Sequence, residues 1–225
     1  MILALAVAAA AASPCPNVVT PEALVCRALE AQKGGDNEAA AQAFEEAAKA
    51  SSDKDPRTAR MYAAAGNLWI AANQAGKAAL DLDRALALPG LEAEQRGEAL
   101  LDRARAAEAQ GDLKTARAKA NEAAATISDD PFYWYFSAAL AIREGDGAAA
   151  KAAIGKALAL APSDPVILFE AGHVADVNGD DDAARGYWMR SAGSDPNGPV
   201  GKAAAKAVEM LGVTPAVKSA APPPK

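Results

Sequence analysis

Apolar residues in the second half of this chain recur every three or four positions, in blocks that open on proline and close on Gly-Asp. Residues 131–144 and 165–178 are two such blocks, and that spacing predicts amphipathic helices rather than strands. Asp130-Pro131 and Asp164-Pro165 place an N-cap acid before a proline at the first helical position, so each block has a defined start. A second helical block follows each turn, running to Ala161-Pro162 in one case and to about Ala192 in the other. The turns Gly111-Asp112, Gly145-Asp146 and Gly179-Asp180 are each 34 residues apart. A period of that length belongs to stacked helical hairpins, each of which hides its apolar face only against a neighbour.

The same unit is legible upstream with less regularity. Residues 97–110 lead into Gly111-Asp112, and a helix follows from Leu113 to about Thr126. The first unit starts at Pro21, turns at Gly34-Gly35-Asp36 and continues over 37–50. Between them the pattern predicts a helix over 57–75, a turn at Gly76-Lys77 and a partner helix ending at Leu88-Pro89-Gly90. The loops at 51–56 and 89–90 absorb the eight residues by which this stretch exceeds two periods. Residues 200–211 form one more amphipathic helix, suited to cap the stack, and Gly212 should end it. The expected division is 21–55, 56–92, 93–130, 131–164 and 165–199 for five repeats, then the capping helix. The proline- and alanine-rich residues 212–225 should be disordered. The repeats should run on as one α-solenoid with no domain border.

Composition agrees with an all-α fold. Apolar residues make up 51% of the chain, mostly alanine, and aromatics only 5%. Alanine is the strongest helix former and lets helices approach closely. The net charge of −6 comes from interspersed acids and bases, which reads as solvated helix faces. No basic stripe offers phosphate neutralisation, so nucleic acid is a poor partner. No motif calls for a cofactor or a small-molecule substrate.

Residues 1–12 are an apolar run ending in alanines, which fits a signal peptide with an A-x-A cleavage site but lacks a basic start; a helical extension of the first repeat is the alternative. Residues 13–20 would then be a leader. Export to the periplasm follows from the first reading and a cytoplasmic protein from the second. Cys15 and Cys26 either close a disulfide tying the leader to the first helix or stand as two independent thiols. His173 is the sole histidine, so no zinc cluster is available. His173 and Asp176 have no nucleophile beside them, Asp180-Asp181-Asp182 fits a helix N-terminus better than a cation loop, and the chain reads as non-enzymatic.

Laid out in this register, the chain resembles the tetratricopeptide repeat family over about residues 21–211. The fourth unit carries Trp134, Ala138, Ala141, Gly145-Asp146, Ala150, Ile154, Ala157 and Pro162 at the family's key spacings. The fifth carries Leu168, Gly172, Ala175, Gly179-Asp180, Ala184, Trp188 and Pro196. The second retains Tyr62, Gly66, Trp69, Ala78, Leu82 and Ala85, with Asn73 in place of the turn glycine. The resemblance implies a right-handed superhelix whose concave face is lined by the first helix of each unit and binds a peptide segment or a partner helix. Carried over by position, the inward residues are Arg60, Asn67, Ile70, Leu101, Arg105, Phe132, Tyr135, Arg143, Phe169 and His173. The aromatics would supply contact area and the arginines would orient carboxylates. The expected function is a protein-protein interaction scaffold; the alternative is a structural or oligomerising subunit of a bacterial envelope assembly.

Overall fold

The computed structural model of the protein describes residues 15–211. The expected signal peptide at 1–12 and the tail at 212–225 lie outside the described residues. Those described form eleven α-helices joined by short turns, with no strand among them. The chain divides into two compact units at Gly90. The boundary falls at the Pro89-Gly90 loop, one of the two that absorb the surplus over the repeat period, where Gly90 takes φ 110°.

The first unit holds two helical hairpins. Helices α1 (Pro21–Lys33) and α2 (Asn37–Lys49) pair, as do α3 (Pro56–Ala71) and α4 (Ala75–Ala87), and α3 also packs on α2. Thr20 and Asp55 accept hydrogen bonds from the first-turn amides of α1 and α3, and a proline follows each cap. The leader is fastened to α1. Cys15 and Cys26 form a disulfide with Cα atoms 5.7 Å apart, and the Arg27 guanidinium donates to the carbonyl oxygens of Pro16 and Val18.

The second unit holds α5 (Ala93–Ala109) with α6 (Leu113–Ile127), α7 (Pro131–Arg143) with α8 (Gly147–Leu160), and α9 (Pro165–Val177) with α10 (Asp181–Ser194). Helix α11 (Pro199–Leu211) packs on α10 and α9. It closes that end by burying Ala204 against Ala184 and Trp188, while Val208 and Leu211 pack around them. Gly66 and Gly172 sit where the second helix of a hairpin crosses the first. A Cβ on Gly172 would lie 2.2 Å from the Trp188 indole, and one on Gly66 would lie 2.4 Å from the Leu82 side chain. Ala138, Ala150 and Ile154 meet in the core of the α7–α8 hairpin.

The hairpin turns share one construction. At Gly35, Gly111, Gly145 and Gly179 the backbone takes φ between 76° and 80°, and the next residue's amide reaches back to close a Schellman turn, as Asp180 N–H does to Ala175 C=O at 2.9 Å. The aspartate side chain then caps the following helix, Asp36, Asp112, Asp146 and Asp180 each accepting from the third residue on. In the α3–α4 hairpin the turn is not at Gly76-Lys77. Asn73 adopts φ 57°, Gln74 N–H closes the ring to Trp69 C=O at 2.8 Å, and Gly76 lies inside α4. Asparagine tolerates the left-handed region well enough to replace glycine there.

One acid departs from the expectation of solvated charge. Asp81 on α4 is only 1% exposed and accepts a hydrogen bond from the Trp69 indole at 3.1 Å. Arg84 lies 3.3 Å away on the same helix and also reaches Glu45 of α2 at 3.7 Å. Burial, reinforced by the Glu45 charge, pushes the Asp81 carboxyl up to about 6.

Candidate functional site

The positions expected to face inward divide between the two units. In the first, Arg60 and Asn67 are exposed on α3 and Ile70 is half-buried. Arg60 stands at the lip of a pocket of about 360 Å³ between α1, α2 and α3, with Val25, Phe44 and Met61 below and Glu22 and Arg57 at the rim. The repeat spacing points to Arg60 but not to this pocket, which depends on how α1 and α3 splay apart. The Arg57 guanidinium is already engaged, donating to Asp55 at 2.7 Å and reaching Glu22 at 3.4 Å.

In the second unit the first helices of the hairpins are neighbours, α5 beside α7 and α7 beside α9. Tyr135, half-buried on α7, is the middle of this face. Its phenol is raised above the ordinary range by burial, with the Glu170 charge of α9 and the Glu108 charge of α5 adding and Arg105 opposing. Phe132 lies beside it, 48% exposed, its ring edge-on at 6.4 Å between centroids. Arg143 hydrogen-bonds the Glu108 carboxylate and, at 3.2 Å, the Glu108 carbonyl, which ties α7 to α5. Arg105 pairs with Asp102 one turn earlier at 2.8 Å. Both arginines are thus held by acids of the protein itself, so a carboxylate arriving here would compete for them.

Phe169 and His173 occupy the α9 end of the face. Their rings meet edge to face at 4.5 Å, and His173 lies 5.7 Å from Trp188. The Glu170 carboxylate, 3.5 Å from His173 Nδ1, is a neighbouring acid one turn before it. Leu101 is buried at 9% exposure and offers the surface almost nothing. Of the aromatic run from 132 to 136, Tyr133 and Phe136 are core, and Trp134 is braced by donating to the Ser128 carbonyl at 2.7 Å with Lys156 over its ring. What remains is a small aromatic patch, Phe132 and Tyr135, ringed by two arginines, three acids and a histidine on three adjacent helices.

No protein-family model matches the chain, and no curated protein matches it. Solved structures do match. PilW, a widely conserved type IV pilus biogenesis factor, superposes with a TM-score of 0.68 at 19% identity, over 81% of this chain and 81% of its own. A tetratricopeptide repeat protein from Parabacteroides merdae gives 0.63 at 16%, over 85% of this chain and 70% of its own. YrrB, a tetratricopeptide repeat protein with an unusual peptide-binding site, gives 0.57 at 16%, over 82% and 91%. The chain has the all-α fold of tetratricopeptide repeat proteins.

Proposed function

We propose that the chain is a non-catalytic protein-interaction scaffold that docks a peptide segment or helix on the first-helix face of its second unit. The observation that carries this reading is the exposed Phe132 beside Tyr135, set among paired but exposed arginines. Aromatic anchors supply contact area at small entropic cost, and a rim of charges sets orientation. The peptide-binding site of YrrB lends the reading support by analogy of fold alone. The preferred segment carries an apolar anchor for the Phe132–Tyr135 patch and an acid that displaces Asp102 or Glu108 from its arginine.

The test is selection of binding peptides from a random library on the purified protein, followed by affinity measurement on variants. Arg105→Glu with Arg143→Glu is expected to weaken the selected peptide about tenfold or more. Undiminished binding would remove the face from the proposal.

The second reading, a structural subunit of an envelope assembly, draws on the likeness to a pilus biogenesis factor and on the Cys15–Cys26 disulfide, which belongs in an oxidising compartment. The same disulfide supports export to the periplasm, and sequencing the mature N-terminus tests that directly.

A further inference from the structure

The pocket between α1, α2 and α3 takes no part in the docking face of the second unit, and its chemistry is divided between floor and rim. Val25, Phe44 and Met61 make the floor apolar, one residue from each helix, and Phe44 and Met61 are buried. The charged side chains of the lining are Glu22 on α1 and Arg57 and Arg60 on α3. At about 360 Å³ the cavity is at the small end of ligand-binding pockets, which suits a small molecule better than a helix.

The rim charges decide which small molecule fits. Arg57 is closed on Asp55, donating to its two carboxylate oxygens at 2.7, 3.0 and 3.1 Å, and that pair is neutral as a unit. Glu22 has only a long contact to the same guanidinium, at 3.4 Å, and both side chains are exposed. Arg60 makes no hydrogen bond or ion pair among the described residues. One carboxylate and one guanidinium, on different helices, are therefore available above a single apolar floor. A bare anion would meet Glu22 and a bare cation would meet Arg60, so a ligand must carry both charges to leave neither rim group opposed. We propose that the pocket binds a free apolar α-amino acid, with its carboxylate on Arg60, its ammonium on Glu22 and its side chain on Val25, Phe44 and Met61. Arg60 follows Arg57 by one helical turn, about 5–6 Å between Cβ atoms, and the Glu22 carboxylate touches Arg57. Both rim groups are thus within reach of a ligand whose two charged groups share one carbon. The guanidinium fork matches a carboxylate, and the floor rewards an aliphatic or aromatic side chain. An internal residue of a polypeptide has lost both charges, so the site selects the free molecule.

Isothermal titration calorimetry of the purified protein with L-leucine and with L-phenylalanine tests this. At least one of them is expected to bind with a dissociation constant below about 1 mM. N-acetyl-L-leucine, which lacks the ammonium, and L-leucinamide, which lacks the carboxylate, should each bind about tenfold more weakly than leucine or worse. Glycine, with both charges and no side chain, should give no saturable heat. Arg60→Gln and Glu22→Gln should each weaken the bound amino acid about tenfold, with unchanged helicity by circular dichroism because both side chains are exposed. No saturable heat with leucine or phenylalanine overturns the proposal. So does glycine, N-acetyl-leucine or leucinamide binding as tightly as leucine, or an affinity indifferent to both substitutions. The pocket is in the first unit and the docking face in the second, so selected peptides that bind while leucine does not, or the reverse, tell failure of this proposal from failure of the docking reading.

Discussion

The α3–α4 and α9–α10 hairpins solve the same packing problem with different chemistry. Each seats a large residue of its second helix against a glycine of its first, Leu82 on Gly66 and Trp188 on Gly172. Each also buries an indole whose N–H needs an acceptor. Trp188 donates to the Phe169 backbone carbonyl at 3.0 Å, which does not titrate. Trp69 donates to Asp81, a carboxyl held near 6. The turns differ in parallel: Gly179 and Asp180 supply the left-handed residue and the side-chain cap, whereas Asn73 and Gln74 supply the first without the second. The lesson is that repeat geometry fixes where a group must be satisfied, and local sequence decides whether the solution depends on pH.

The largest expected effect is at the glycines. Gly172→Ala drives a methyl into a rigid, hydrogen-bonded indole and should cost about 2–3 kcal/mol, whereas Gly66→Ala meets a leucine able to change rotamer and should cost about 1 kcal/mol. Chemical denaturation of both variants measures the gap, and equal costs would break the comparison.

Next is Asp81. Its folded value lies above the unfolded one, so the folded state binds the proton more tightly. This group's contribution therefore becomes more favourable as pH falls from 7 through 6, and levels off near 4 once the unfolded carboxyl is protonated as well. Asp81→Asn keeps an acceptor for Trp69 and removes the buried charge. It should raise stability at pH 7 by on the order of 2 kcal/mol and abolish that part of the pH dependence. The gap between the melting curves of wild type and variant should be clearly smaller at pH 5 than at pH 7; a constant offset would show that Asp81 is not the titrating group.

The smallest effect is at the turns. Asn73→Gly should stabilise by about 0.5 kcal/mol and Gly179→Asn should destabilise by a similar amount. Thermal melts of the two variants test whether the positions are equivalent.

Much of this architecture is legible in the residues because it rests on local rules. Aspartate caps, prolines at helix starts and glycines with positive φ each leave a mark at a fixed offset, and they place α7 to α10 within a residue or two of the helices found. The misplaced turn at Gly76 shows the limit. Glycine is the commonest left-handed residue, so a glycine three positions away outweighed Asn73, although the alignment of the second unit with the others already put Asn73 at the turn. Asp81 was hidden for a different reason. An acid between two leucines on a helix reads as a solvent-facing position, and only its meeting with Trp69, 12 residues earlier, reveals burial. Among the candidate contact residues, spacing put Tyr135, Arg143 and Phe132 on a first helix. Whether an arginine there is already satisfied depends on acids of its own and the neighbouring helix, Asp102 and Glu108, and no single-residue pattern encodes that.

The docking face is tested most directly by where a bound segment lies. A photo-crosslinking amino acid at Phe132, on the first helix α7, and at Met189, 60% exposed on the second helix α10, reports on the two sides of the unit. With the library-selected peptide, the account predicts crosslinking from position 132 and none above background from 189. Crosslinks from 189 alone, or equally from both, would contradict it.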